Sequence, residues 1–299
     1  MPSEVGPRGR VLAHLALTKP RIIELLLVTA LPTMFLAAHG LPTLQQTIAV
    51  LVGGALSAGG ANTLNSVYDR DIDAKMRRTG HRPAASGAVS ARAGVIQGVF
   101  LSVLSAALLL WLANLLAALL ALLAIALYVF GYTMWLKRRT PQNIVWGGIA
   151  GCMPVLIAWA TVTGTLSPAP FALFLIVFFW TPPHYWPLAM KYRDDYATAG
   201  VPMAPVVWSD AQVTRSMVMY TWGMVLASLA LIPLGPMTWF YSAVAVAAGA
   251  VFLVLVHRFQ RLATAGVDDI GAPAMRIFHW SITYLSIIFL AVAIDPFLH

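Results

Sequence analysis

The chain has 299 residues, 60% of them hydrophobic and only 10% charged, with a mean hydropathy of +0.79. A soluble domain carries about 25% charged residues, so this balance excludes an ordinary soluble globule and implies an integral membrane protein. The net charge of +8 does not mark a nucleic-acid binder, because the Lys and Arg residues are strung between apolar runs and never gather on one polar domain.

Residues 1–21 have no apolar core before Ile22 and carry Glu4. That argues against a cleaved signal peptide or a mitochondrial transit peptide, and a bacterial inner membrane is the expected home. A crossing needs about 20 apolar residues. Such runs fall at 22–38, 47–68, 94–112, 115–136, 143–163, 170–190, 216–234, 237–256 and 278–294. The stretch from Gly94 to Leu136 is about twice the length of one crossing, and within Leu109 to Leu123 Asn114 is its only polar break. The single cysteine, Cys152, lies in the fifth run and excludes an intramolecular disulfide or a CxxC motif.

Alternating the spans tests the count. All 19 Lys and Arg residues fall before the first span or after the second, fourth, sixth and eighth, and none falls near Gly40, Ala113, Leu166 or Gly235. The positive-inside rule then predicts an all-α bundle of nine transmembrane helices, with the N-terminus cytosolic and the C-terminus outside. The two longest basic connections follow spans two and six, each opening with Asp residues. That spacing predicts a four-helix unit used twice, about 22–142 and 143–277, plus a ninth helix at 278–294. The whole of 22–299 would be one transmembrane domain behind a cytosolic segment, 1–21.

The second span ends in Asn65-Ser-Val-Tyr68-Asp69-Arg70-Asp71-Ile72-Asp73. Asn65, Asp69 and Asp73 are spaced i, i+4, i+8, so on a helix they share one face with a drift of about 40° per step, while Asp71 points away. A row of oxygens suits a hard cation such as Mg²⁺, which takes one or two carboxylates and fills its octahedron with water and phosphate oxygens. Arg77, Arg78 and Arg82 follow at once, and guanidinium groups pair with phosphate. Acid for metal beside base for phosphate is the composition of a diphosphate–Mg²⁺ site; the plainer alternative is a solvated loop with ordinary ion pairs.

Tyr132, Lys137, Arg138 and Asn143 cluster at the same-side ends of spans four and five, where basic groups could reach phosphate. Span six ends in Trp180-Thr-Pro182-Pro183-His184-Tyr185-Trp186 and continues to Lys191, Asp194 and Asp195. Adjacent prolines in an apolar run predict a kinked or broken helix whose freed carbonyls line a cavity. Lys191 and Asp195, at i, i+4, would face one site. Trp180 and Tyr185 are candidate pocket walls, and the other aromatic residues fit an interfacial belt. The Gly-rich runs at 53–54, 59–60 and 147–151 lack a phosphate-loop context and read as close helix packing.

The pattern Asn65-x-x-x-Asp69-x-x-x-Asp73 resembles the first motif of the UbiA superfamily of intramembrane prenyltransferases. Three further stretches, 132–148, 180–186 and 194–203, resemble the branch that farnesylates heme, and the similarity runs from about Thr18 to Asp295. It implies a UbiA-type bundle in which Mg²⁺ meets Asn65, Asp69, Asp73 and Asp195. Asn65, Asp69, Asp73, Lys191 and Asp195 would be catalytic. Substrate would meet Arg77, Arg78, Arg82, Tyr132, Lys137, Arg138, Asn143, Trp180, His184, Tyr185 and Asp194. The implied reaction joins farnesyl diphosphate to a vinyl group of heme b with addition of water, giving heme O and diphosphate. A heme A synthase or cytochrome oxidase assembly factors are implied partners, beside the lipid bilayer. One departure stands out. Many relatives have two Asp residues four apart in the second motif, whereas here Asp195 has Ala199 after it and Lys191 before it; Lys191 would take over part of the second metal's charge.

His184 is open to three readings: proton acceptor, heme contact or hydrogen-bonded core residue. Two competing functions remain at this point. One is a prenyltransferase acting on an aromatic quinone precursor, against which Trp180-Thr-Pro-Pro-His184 and Ala199-Gly-Val-Pro-Met203 argue. The other is a membrane transporter, against which stands the gathering of acids at one end, with Glu24 near a span end beside Lys19 and Arg21.

Overall fold

The computed structural model describes residues 7–267 and 270–298. Glu4 and the other residues of 1–6 lie outside them, as do 268–269 and 299, and the side chains of Arg21 and Glu24 are likewise outside the description. Every predicted span is helical. In chain order the elements are α1 (Pro7–Leu17), α2 (Pro20–Ala38), α3 (Leu44–Tyr68), α4 (Arg70–Asp73), α5 (Ala91–Leu112), α6 (Leu115–Leu136) and α7 (Asn143–Thr163). They continue with α8 (Pro168–Lys191), α9 (Arg193–Thr198), α10 (Ala204–Val207), α11 (Asp210–Leu234), α12 (Trp239–Thr264) and α13 (Gly271–Ile294). Among the described residues, seven helices are long and apolar enough to cross a membrane: α3, α5, α6, α7, α11, α12 and α13.

The helix ends follow local chemistry. The break inside 94–136 falls where the polar break is: Asn114 leaves the helical region, its Oδ1 accepts the Ala117 N–H at 2.9 Å, and its Nδ2 donates to the Ala160 carbonyl at 2.7 Å. At the end opposite the basic residues, buried Asp295 accepts from Thr238 N, Thr238 Oγ1 and Tyr241 N, capping α12. Helices α11, α12 and α13 run past the apolar windows at the basic end, because helical hydrogen bonding does not stop where hydrophobicity does. The segment before Ile22 holds a helix, α1, with Val11, Leu12 and Leu15 exposed.

Two expectations about helix continuity change. Pro182, Pro183 and Pro187 lie inside one continuous helix, α8, and do not end it. All three are buried, so neighbouring helices support the turns that lost their donors. Conversely, the helix stops at Asp69 (φ −83°, ψ 4°) and restarts as the single turn α4. The Asp73 N–H still reaches the Asp69 carbonyl at 2.8 Å, so Asn65, Asp69 and Asp73 stay on one buried side.

Helices α2, α3, α6, α7, α8 and α13 surround an internal cavity, while α11 packs on α8 from outside and α12 packs on α11 and α13. Close approach through glycine makes the seams. A methyl on Gly60 would sit 2.6 Å from Ser102 Oγ, and one on Gly98 would sit 2.6 Å from Leu64 Cγ, which accounts for how closely α3 and α5 pack. The loops after α4 and α8 meet over the basic end. Ile72, Met76, Tyr196, Val201 and Met203 form a small core of their own there and roof the cavity.

Candidate active site

The cavity measures about 460 Å³, within the range of small-molecule sites. Its long wall is apolar and small: Leu27, Ala30, Ala58, Ala61, Ile125, Gly151 and Ile157. Its basic end is polar, lined by Lys19, Asn65, Asp73, Arg78, Arg82, Tyr132 and Lys137. One elongated ligand with an anionic head would match both ends.

The polar end is a chain of charge-assisted bonds. Lys19 Nζ donates to Asn65 Oδ1 at 2.6 Å, and Asn65 Nδ2 donates to Asp69 Oδ2 at 2.6 Å. Lys137 Nζ donates to the same Asp69 oxygen at 2.5 Å. Arg82 Nη1 reaches both Asp73 oxygens, at 3.0 and 2.9 Å. Asp69 Oδ1 is buried without a hydrogen-bond partner, its nearest cation being Arg138 at 3.8 Å. Lys19 adopts a left-handed conformation (φ 54°, ψ 63°) between α1 and α2, rare for a side chain of its kind, and this sends its ammonium inward. Burial, then the positive charges of Arg82 and Lys137, push that ammonium down to about 7.

Asp71 behaves as its periodicity predicts. Its side chain is 55% exposed and paired with Arg138 at 2.7 Å. The Arg138 hydrogen bond holds the Asp71 carboxyl down at about 2.

Lys137 and Tyr132 owe their positions to a wider-than-α turn. Residues Leu127–Leu136 close i→i−5 bonds, with the Lys137 N–H on the Tyr132 carbonyl at 2.8 Å. Such widened turns recur at functional sites because they shift the following side chains around the helix. Tyr132 stacks on Tyr128 at 5.6 Å and lies against Gly147, where an added methyl would stand 2.2 Å from the Tyr132 ring.

The structure brings Asn65, Asp73, Arg78, Arg82, Tyr132, Lys137, Trp180, His184 and Tyr185 to the cavity wall. Asp69 lies directly behind, bonded to Asn65 and Lys137. The remaining candidates are elsewhere. Arg138 is turned toward Asp71, and Asn143 donates to the Thr140 carbonyl at 2.7 Å inside a turn. Arg77, with its side chain 91% exposed, pairs with Asp195 at 3.8 Å. Lys191 and Asp194 are exposed. The i, i+4 relation of Lys191 to Asp195 fails because α8 ends at Tyr192 (φ −108°, ψ 28°), and Lys191 lies over the Tyr192 ring. Among the described residues, Asp69, Asp73 and Asp195 do not converge into a three-carboxylate cluster.

Several cavity residues escaped sequence reasoning: Lys19, Tyr128, Tyr196 and Met203. Lys19 was indistinguishable from the arginines that set topology. Tyr196 and Met203 lie in the 194–203 stretch, where only the resemblance offered a signal.

Comparison with known proteins places this geometry. A profile of the UbiA prenyltransferase family matches residues 26–282. The chain belongs to the UbiA prenyltransferase family. It is 56% identical over 290 residues to a protoheme IX farnesyltransferase of Streptomyces coelicolor, covering 97% of this chain and 92% of that one. It is 52% identical over 295 residues to a protoheme IX farnesyltransferase of Cutibacterium acnes, covering 99% and 88%. Among solved structures, the fold is similar to a digeranylgeranylglyceryl phosphate synthase, with a TM-score of 0.80 at 14% identity over 97% of this chain and 99% of that one. It is also similar to a UbiA homolog from Archaeoglobus fulgidus bound to DMAPP and Mg²⁺, with a TM-score of 0.65 at 17% identity over 94% and 99%. The protein is therefore an integral membrane prenyltransferase of all-helical UbiA fold.

Proposed function

We propose that this chain transfers the farnesyl group of farnesyl diphosphate to a vinyl group of heme b, with addition of water, giving heme O and diphosphate. The observation that carries the reading is a single cavity with an apolar wall and one end where Lys19, Arg78, Arg82 and Lys137 meet Asn65 and Asp73. Relatives more than half identical and named protoheme IX farnesyltransferase supply the acceptor.

Energetics assign recognition to the polar end. Burying a prenyl chain from water is worth about 0.8 kcal/mol per methylene. A chain arriving from lipid is already in an apolar medium, so the pocket wall adds little. Charged hydrogen bonds, at about 1.5–3 kcal/mol each, then hold the substrate by its diphosphate.

The donor set fits Mg²⁺: the carboxylates of Asp69 and Asp73 and the amide oxygen of Asn65, with Asp69 Oδ1 buried and without a hydrogen-bond partner. Asn65, Asp69 and Asp73 would hold the ion, with Asp195 at the roof beside Arg77; bound there, Mg²⁺ supplies Lewis-acid stabilisation of the leaving diphosphate. Lys19, Arg78, Arg82 and Lys137 bind and orient the diphosphate and balance its charge as the allylic C–O bond breaks and the electron pair leaves with it. Tyr128 and Tyr132 offer ring faces to the allylic cation, a contribution of about 0.5–2 kcal/mol. The heme vinyl π electrons form the new C–C bond, and water captures the resulting cation and loses a proton. Until then the roof of Met76, Tyr196 and Met203 keeps bulk water out.

The finer topology belongs to the same proposal. All nine long helices cross a bacterial inner membrane as one domain of two four-helix units, 22–142 and 143–277, plus the helix at 278–294. The basic end and N-terminus are cytosolic and the C-terminus is outside. An enzyme that oxidises heme O further, or oxidase assembly factors, would take the product.

The test is to express the chain in a bacterial membrane and separate the extracted hemes. A farnesylated heme that needs Mg²⁺, vanishes with a chelator and is lost in Asp69→Ala supports the reading. Unchanged hemes with a new prenylated phenol would assign an aromatic acceptor instead.

A further inference from the structure

His184 is one of the cavity-lining residues of α8, and its ring is held on three sides. It is stacked between Trp180, with centroids 4.1 Å apart and planes at 15°, and Phe278, at 4.8 Å and 25°. Its Nδ1 lies 2.8 Å from Ser281 Oγ. Ser281 has one hydroxyl proton, and that proton goes to the Phe278 carbonyl at 2.6 Å. The hydroxyl oxygen is then left to accept from the imidazole, which assigns the hydrogen of the neutral ring to Nδ1 and the lone pair to Nε2. The Ser281 carbonyl in turn accepts from Trp180 Nε1 at 2.6 Å, tying one wall of the sandwich to the same residue of α13. Among the described residues Nε2 has no hydrogen-bond partner.

A neutral imidazole with one nitrogen donating to an oxygen and the other bare is how a metal-ligating histidine is presented. The two stacks leave only the ring edge to meet a ligand, which suits an iron centre approached along the Nε2 lone pair. We infer that His184 Nε2 is an axial ligand to the iron of the porphyrin acceptor, and that Ser281 is a positioning residue that sets the tautomer. The inference rests on heme b being the acceptor. A proton-relay role for His184 fits less well, since among the described residues no carboxylate contacts it; the acids of the site are bonded to cations at the basic end.

The test uses the full chain purified in detergent with ferric and ferrous heme b as probes, and metal-free protoporphyrin IX as a control. The wild type should give the spectrum of histidine-ligated iron. Ser281→Ala should weaken heme b binding by roughly 10-fold. His184→Ala should lose more, with millimolar imidazole restoring the spectrum, while metal-free protoporphyrin IX binds wild type and His184→Ala alike. An iron spectrum and heme affinity unchanged in His184→Ala would overturn the ligation, even if heme O is still made. Should His184→Ala fail to fold, pulsed EPR of wild-type protein labelled with ¹⁵N-histidine reads the same bond, and absence of a directly coordinated histidine nitrogen would overturn it. A wild type that binds no porphyrin yet prenylates a phenol would remove the acceptor assignment itself.

Discussion

Asp69 is 1% exposed and touches Lys137, so its removal has two separable consequences. Asp69→Ala leaves the Lys137 ammonium, 14% exposed, facing a cavity with no counter-ion, and Asn65 loses an acceptor. Breaking a buried pair costs about 3–5 kcal/mol, and the residual exposure of Lys137 puts this case near 3 kcal/mol. Much of that cost is the stranded charge. Asp69→Ala/Lys137→Met should therefore recover about 2 kcal/mol, a coupling typical of contacting residues. Denaturant unfolding in mild detergent reads the stability, and extracted-heme chromatography reads the turnover. The double variant should regain stability and still make no farnesylated heme, because the carboxylate is needed for metal and not only for Lys137. If the double variant regained both, Asp69 would be a counter-ion and nothing more, and the metal assignment would fall with it.

Asp73→Asn should abolish turnover while Asp71→Asn retains most of it, since Asp73 is 3% exposed at the cavity and Asp71 makes a surface pair worth about 0–1 kcal/mol; steady-state rates compare the two, and equal losses in folded protein would contradict the one-face arrangement. Gly147→Ala should displace Tyr132 and lower activity at least several-fold, with a stability cost of about 1–3 kcal/mol from overpacking; pairing it with Tyr132→Ala, which clears the space, should recover stability but not rate. Asp295→Ala should destabilise the protein by about 2 kcal/mol, because its carboxylate accepts from Thr238 N, Thr238 Oγ1 and Tyr241 N at the start of α12, while leaving the KM for farnesyl diphosphate unchanged.

The helices were legible because lipid acts on windows of about 20 residues and tolerates charge only at their ends. Asn114 marked the α5–α6 break by its composition alone. The separation of Asp71 from Asp69 and Asp73 was equally legible, since 3.6-residue periodicity survives one irregular turn. Where sequence spacing misled, an element ended: Lys191 and Asp195 parted because α8 stops at Tyr192.

Apolar window, alternating charge and one row of oxygens were properties of the chain taken along its length, and they determined the membrane class, the helical segments and the acidic motif. The choice of partners came only with folding. Lys19 meets Asn65 across 46 positions, Lys137 meets Asp69 across 68, and Ser281 meets His184 across 97. Charge pairing and tautomer depend on which helices pack face to face, and that is set by small-residue seams such as Gly147 against Tyr132. Local periodicity holds no record of those distances, so which acids stay bare, and which histidine nitrogen faces the cavity, were decided by the tertiary structure.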